Sequence, residues 1–412
     1  MNSKNVSLIS VSLVASAVIA ALALPAQAAE NRAQRYTPGL GGTDMTTMLA
    51  PGWYGQVAMI HYHATKLKDK NGDGAALASS SISAATVAGA AGQVAAAAAG
   101  NPALVTPVAQ QVGLQLAGTG IGYNTKLANF RADAYVALPR VTYISANKFL
   151  GAHVGFTAMV PLVERQTSLA GQTVFTDRSA AISQGILAAS GSANLAAGAT
   201  PATVSRLQSS VNTQVDADIA KRKGSNTGIG DLEFAPVLNW EIGDHQTATL
   251  TPTLILPTGE YDKVNATNPG FGKFYTFRPS FQYGFIGDGW DVGARLVLSF
   301  NTKNKDTNYK SGTMLNVDFA AMKFVTEDLR LGVQGYVVNQ LTKDSSDDAT
   351  LQAGIDAADG AKMRAYAVGP ALGWIVNGGE MMVEGKLLKE FGARNRAEGT
   401  TYMLTVSKPF GL

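Results

Sequence analysis

From Gly228 onward, apolar and polar residues alternate with a period of two. Leu232, Phe234, Pro236, Leu238 and Trp240 alternate with Asp231, Glu233, Ala235, Val237 and Asn239. Tyr275, Phe277, Phe281, Tyr283 and Phe285 alternate with Thr276, Arg278, Ser280, Gln282 and Gly284. Trp290, Val292, Ala294, Leu296, Leu298 and Phe300 alternate with Asp291, Gly293, Arg295, Val297, Ser299 and Asn301. Successive side chains of a strand point to opposite faces, so each segment has one apolar face and one polar or small-residue face. Over the whole chain the pattern predicts twelve strands: 52–65, 126–144, 148–163, 228–242, 246–257, 273–286, 289–301, 312–325, 328–341, 362–376, 380–390 and 400–410.

The connections alternate in length. Short ones follow strands two, four, six, eight and ten, at Ser145-Ala146-Asn147, Gly243-Asp244, Gly287-Asp288, Thr326-Glu327-Asp328 and Gly378-Gly379. Long ones follow the odd-numbered strands. A soluble sandwich has no reason to alternate in this way, whereas a membrane barrel has short turns at one end and long loops at the other. The expected fold is therefore all-β, a transmembrane antiparallel barrel of about twelve strands. Aromatic residues fall near both ends of these strands. Tyr143, Phe149, Trp240, Phe285, Trp290, Phe324 and Trp374 lie beside short turns, and Tyr275, Phe277, Phe300, Tyr366, Phe391 and Tyr402 lie near long loops. This is the arrangement of two interfacial girdles.

Two long connections, about 75–118 and 179–223, are rich in alanine, serine and glutamine. In the second, Val204, Leu207, Val211, Val215 and Ile219 recur every three or four residues after Pro201 and Thr203, the spacing of a helix face. These two insertions are expected on the long-loop face, as helices or as surface decoration.

Met1 to Ala28 read as a signal peptide. Lys4 gives the positive start, Val6 to Leu24 the apolar core, and Ala26-Gln27-Ala28 the small-x-small cleavage pattern. Residues 29–412 are then one outer-membrane barrel domain; an uncleaved anchor is the alternative. The next most apolar stretch, Ser83 to Gly100, is mostly alanine and is interrupted by Gly89, Gly92 and Gln93, so it is a poor spanning helix. Composition narrows the picture. The 412 residues include no cysteine, 15% charged residues and a net charge of +3, against about 25% charged in an average soluble domain. A disulfide scaffold and a thiolate metal site are excluded, and a nucleic-acid partner is not expected without a basic stripe. Absence of thiols suits an oxidising compartment.

The polar faces of the strands supply candidate lumen-lining residues: Arg131, Asp133, Asp231, Glu233, Arg278, Gln282, Asp291, Arg295, Asp318, Arg330, Glu384 and Lys386. Six acids against five bases should pair across the lumen, because unpaired buried charge is costly, and a near-neutral lining argues against strong ion selectivity. Met159, Met322, Met363, Tyr336 and Val338 share the inward parity and offer apolar footholds. Proline is rare inside central strands, yet Pro139, Pro161, Pro236, Pro252, Pro279 and Pro370 all occur here. They fit bulges, or a weakened ladder at Pro279 and Pro370 that opens sideways.

Asp69, Asn71, Asp73 and Gly74 resemble the start of a calcium loop, but Ser80 stands where such a loop needs a glutamate, which favours a plain turn. His61 and His63 share a strand face but lack a third ligand in the sequence, so no metal or other cofactor is expected. A lipid hydrolase would need a serine beside an outward histidine. His153 has inward parity and no G-x-S-x-G is present, which disfavours an enzyme.

Several ordered motifs carry a family likeness. They are Thr227-Gly228-Ile229-Gly230-Asp231-Leu232 with Pro236 and Trp240; Leu256-Pro257-Thr258-Gly259-Glu260-Tyr261-Asp262; Asn268-Pro269-Gly270; Tyr309-Lys310-Ser311-Gly312; Gly369-Pro370; Lys389-Glu390-Phe391-Gly392-Ala393 with Asn395-Arg396; and Ala50-Pro51-Gly52-Trp53-Tyr54. With these the mature chain, apart from the alanine-rich insertions, resembles the outer-membrane protein family named for the meta-pathway of phenol degradation. The resemblance implies a Gram-negative outer-membrane barrel near aromatic catabolism, with a role in uptake of hydrophobic compounds and no enzymatic step. It departs in the two insertions and in ending Phe410-Gly411-Leu412 rather than on an aromatic residue. Tyr402, Leu404, Val406, Phe410 and Leu412 still share one parity, as an assembly signal does.

The sequence thus points to a passive channel for small hydrophobic or aromatic solutes. Its expected partners are those solutes, outer-membrane lipid, lipopolysaccharide and the barrel assembly machinery. A structural or adhesive barrel acting through its long loops is the alternative. An open lumen would favour the first and a filled one the second.

Overall fold

The computed structural model describes residues 34–47 and 49–410; the expected signal segment 1–28 and the last two residues of the chain lie outside the described residues. In chain order the strands are β1 (Gly52–Leu67), β2 (Ala76–Ile82), β3 (Ile121–Phe149), β4 (Ala152–Met159), β5 (Leu162–Phe175), β6 (Gly224–Ile229), β7 (Glu233–Ile242), β8 (Gln246–Ile255) and β9 (Thr276–Gly287). They continue as β10 (Trp290–Asn301), β11 (Tyr309–Lys310), β12 (Met314–Phe324), β13 (Leu329–Gln340), β14 (Ser345–Ser346), β15 (Arg364–Val376), β16 (Met381–Arg394) and β17 (Ala397–Phe410). The helices are α1 (Ala84–Ala99), α2 (Val105–Leu116), α3 (Ser179–Ser190), α4 (Ala193–Ala220) and α5 (Ala349–Ala357).

The chain divides into two compact units. One comprises Ala76–Ala128 and Ala170–Ala220, and so gathers both alanine-rich insertions. Its helices pack through small residues. A Cβ on Gly92 would come 2.3 Å from the carbonyl oxygen of Val105, and one on Gly185 would come 2.5 Å from Cα of Val112. Helix α4 buries Leu207, Val211, Val215 and Ile219, the stripe seen in the sequence, and carries Pro201 inside it. Ser83 caps α1 by accepting from the amide of Thr86, and Gly100 ends it in the left-handed conformation.

The other unit is the barrel. Twelve strands close an antiparallel ring in the order β1, β17, β16, β15, β13, β12, β10, β9, β8, β7, β4, β3 and back to β1. The alternation fixes the facing: Leu296 stands between Val317 and Phe281 on the outer wall, and Arg295 between Asp318 and Gln282 on the inner. The outer wall is apolar and exposed, with Phe234, Leu254, Phe281, Leu296, Leu331 and Leu372 among its residues, as a lipid-facing surface requires. Asp288-Gly289 closes β9 to β10 with both residues at positive φ, as the favoured two-residue hairpin turn demands.

Three expectations about the strands change. The segments expected at 148–163 and 228–242 are each broken, at Val160-Pro161 between β4 and β5, and at Gly230-Asp231-Leu232 between β6 and β7. Pro161 has no amide to give the ladder, and its carbonyl instead accepts from the amide of Gly230 at 2.7 Å. A Cβ on Gly230 would lie 2.9 Å from that of Pro161. Above the break β5 pairs with β6 and with β3, off the main ring. Second, Pro279 and Pro370 produce no bulge: Pro279 stands opposite Pro252 and Pro370 opposite Val333, and on their other sides the pairing lapses beside them and resumes without a register shift. Third, the eleventh connection is no loop: Asn395-Arg396 alone joins β16 to β17, with Asn395 at positive φ.

Several motif residues explain themselves as loop architecture. Asp231 accepts from the amides of Gly259 (2.9 Å) and Phe271 (3.1 Å), and Asn268 ties Asp262 to Asn265. Gly259 fits only as glycine, since its Cβ would lie 2.7 Å from Cα of Gly270 and 2.8 Å from the carbonyl carbon of Gly230. Gly259→Ala should cost about 1–3 kcal/mol by overpacking, seen as faster proteolysis within residues 256–275 of the folded chain. The acidic turn at Asp69 is closed on itself: its Oδ1 accepts from the amides of Asn71 and Asp73, both at 2.9 Å.

Candidate functional site: a filled lumen beside a cleft in the wall

The inner wall does not enclose an empty pore. Residues 34–47 run inside it and are held by the charges of the strands. Tyr36 donates its hydroxyl to Asp318, whose carboxylate also accepts from the amides of Gly39 (2.9 Å) and Gly41 (2.8 Å). Arg35 pairs with Asp231 at 3.0 Å and donates to the carbonyl of Phe274. Asp44, in a single 3-10 turn at Thr43–Met45, sits between Arg140 (2.9 Å) and Arg295 (2.8 Å). Gln282 donates to the carbonyl of Asp44 at 3.2 Å and accepts from Arg295 at 2.7 Å. Lys386 donates to the carbonyl of Gly41 and to Gln334 and lies 3.2 Å from Glu384. Small residues allow this seat: a Cβ on Gly42 would strike the Glu384 carboxylate, and one on Gly284 would come 2.5 Å from the carbonyl oxygen of Met45.

Arg278 forks onto Glu233, and Arg330 meets Asp291 with both side chains buried. Asp231, Glu233, Arg278, Gln282, Asp291, Arg295, Asp318, Arg330, Glu384 and Lys386 thus lie in or against one inner network. Arg131 and Asp133 do not, which corrects the sequence assignment. On β3 they share the parity of Tyr135 and Val141, which are exposed on the outer wall, while Arg140 has the inward parity. With Arg35, Asp44 and Arg140 included, and Arg131 and Asp133 removed, the inner network has six acids and six bases.

The long-loop end of the lumen is covered on one side as well. Residues of the 341–363 connection, including Ile355, Ala358 and Ala361, form one buried cluster with Met314, Tyr336, Val338, Met363 and Leu388. Tyr336, Val338 and Met363 are therefore covered rather than presented to a solute. Glu390 organises this region, accepting from Tyr62 and Tyr336 (both 2.8 Å), Arg396 (2.7 Å) and the amide of Gly399 (2.8 Å). Asn395 donates to the carbonyls of Ala358 and Lys362. His153 is buried beside the carbonyl of Ser145 at 3.0 Å.

Two spaces lie at the break in the wall. Inside, a cavity of about 60 Å³ is bounded by Leu40, Val136, Leu138, Met159, Pro161, Val163 and Arg278. Outside, a cleft of about 790 Å³ is lined by Met59, Tyr135, Leu162, Ile229, Tyr402 and Leu404, with His61 and Glu164 among its polar members. Val136 and Val163 border both. A cavity of roughly 150 Å³ is what a benzene ring occupies, so the inner space is too small for one and the cleft is ample.

One solved structure shares the barrel fold, and others resemble it more distantly. The COG4313 outer membrane channel from Pseudomonas putida F1 superposes with a TM-score of 0.57 at 12% identity, covering 90% of this chain and 100% of that one. The CymD monoaromatic hydrocarbon channel gives 0.34 at 8% identity over 95% and 99% of the two chains. A TodX monoaromatic hydrocarbon channel mutant gives 0.35 at 10% identity over 88% and 91%. No curated protein sequence matches. Residues 115–406 match the model of the family described as "Putative MetA-pathway of phenol degradation". The match spans well over half of the sequence, and the chain, a twelve-stranded β-barrel, belongs to that family.

Proposed function

We propose that this protein is a channel for passive uptake of small hydrophobic or aromatic compounds across the outer membrane, and that such solutes cross its wall at the break between β4 and β5. The observation that carries this reading is the apolar cleft, separated from the inner cavity by the side chains of Val136 and Val163. A polar solute gains nothing there, whereas an aromatic one trades water for apolar surface at about 25 cal/mol per Å². Leu40 belongs to the docked segment and borders the inner cavity, so a shift of that segment enlarges the space a solute needs. The balanced inner charges suit neither anion nor cation selection. Residues 29–412 would be the exported form, embedded in lipid and lipopolysaccharide of a Gram-negative cell after assembly by the barrel machinery.

Uptake by vesicles holding the purified protein tests this. Monoaromatic hydrocarbons should enter at least tenfold faster than into empty vesicles, with sugars of similar size unaffected. The filled lumen favours a second reading, a structural or adhesive barrel. Failure of every solute to enter, both with the intact chain and after residues 34–47 are removed, would remove the channel reading.

A further inference from the structure

The outer wall carries a polar cluster at the edge of the cleft, to whose lining His61 belongs. His61 and His63 project from the same face of β1, and the register places Asp133 of β3 directly opposite His63. We propose that these three residues form a binding site for a first-row divalent transition metal of the zinc class.

The geometry supports three ligands at once. Oδ1 of Asp133 lies 2.8 Å from Nδ1 of His63 and 3.4 Å from Nε2 of His61, and the three ligand atoms all lie within 4.8 Å of one another. Ligands about 2.0–2.2 Å from a tetrahedral cation stand roughly 3.4 Å apart, so small adjustments suffice. Two imidazoles and one carboxylate suit zinc, nickel or copper; calcium and magnesium call for oxygen ligands. Both imidazoles are about one-third exposed, which gives a hydrated ion access, and Asp133 is buried beneath them.

The surroundings hold each ligand in place. Arg131 donates Nε to Oδ2 of Asp133 at 2.6 Å, which leaves Oδ1 turned toward the histidines. Tyr135 stacks on the His61 ring at 4.3 Å with 5° between the planes, and Tyr402 stacks on it at 5.8 Å. Hydrogen bonds to ligating groups, as from Arg131 to Asp133, are commonly worth 10–100-fold in affinity. The sequence gives only the His-x-His pair; the third ligand is 70 residues away and becomes visible through the β1–β3 register.

The test is zinc titration by calorimetry of the full chain in detergent, purified without a histidine tag, with the absorption spectrum of bound cobalt as a second readout. The expected result is one equivalent of Zn²⁺ and a tetrahedral cobalt spectrum. His61→Gln or His63→Gln should weaken binding at least 100-fold, and Arg131→Leu about tenfold. His245→Gln, at the opposite end of the barrel, should change nothing. Each variant is checked for the folded barrel by its heat-modifiable gel mobility. Absence of zinc binding to the intact chain, or binding that survives both His61→Gln and His63→Gln, overturns the proposal.

Discussion

Replacing both Asp318 and Asp44 by alanine should release residues 34–47 and turn a nearly closed barrel into one of steady, ohmic conductance. Asp318 is the point where Tyr36, Gly39 and Gly41 converge, and Asp44 is the shared partner of Arg140 and Arg295. Removing one partner of a buried ion pair costs about 3–5 kcal/mol, because the other charge is left uncompensated. A tenfold shift in an equilibrium is about 1.4 kcal/mol. Asp44→Ala alone should therefore move the docked-to-released ratio by two to three orders of magnitude, and Asp318→Ala adds the loss of a charged acceptor of three hydrogen bonds. Asp318→Asn should do less, since its amide oxygen can still accept from one glycine. Planar-bilayer recording gives the conductance, and protease sensitivity within residues 34–47 reports release. A newly cleavable segment without added conductance would place the closure elsewhere, in the 341–363 connection.

This filling of the lumen was not legible in the sequence. Residues 34–47 have no periodicity, and their glycines and single aspartate look like any surface loop. Their order comes from partners roughly 100 to 350 residues away, such as Arg140, Asp318 and Lys386. The strands were legible because their pattern is local: each must alternate wherever one face meets lipid and the other does not. The same rule misplaced Arg131 and Asp133. Charge was assigned to the lumen on the premise that outward positions are apolar, but β3 is 29 residues long, well beyond the nine to eleven that span a bilayer. Outside the lipid band an outward charge costs little. The parity that excluded Arg131 would have identified Arg140.

Proline does end a strand, but at Pro161 rather than at Pro279 or Pro370. Pro279 and Pro370 each keep a ladder partner on one side, Pro252 and Val333; on the other side the pairing lapses beside them and resumes in the same register. Pro161 is different because Gly230 lies directly against it on the neighbouring strand. Two weak points in contact end both strands at one level, and no single-strand pattern shows that they meet.

Crowding the cleft at that level should slow aromatic uptake without affecting ions. Leu162 and Ile229 are opposite each other, and both are about half exposed on the cleft face. Leu162→Trp with Ile229→Trp therefore adds two indoles without repacking any core. An added barrier of about 1.4 kcal/mol is a tenfold loss of rate, and the pair should reach at least that for a monoaromatic hydrocarbon. Val136→Ala with Val163→Ala removes the side chains that separate cleft from cavity and should raise uptake several-fold. Pro279→Ala and Pro370→Ala should leave it within twofold. Measured in vesicles beside the conductance of the same preparations, these variants separate a route through the wall from one along the axis. Unchanged hydrocarbon uptake in the double tryptophan variant would reject the wall route. If the aspartate double variant then sped hydrocarbon and ion alike, the route would run down the axis, and residues 34–47 would gate it for every solute.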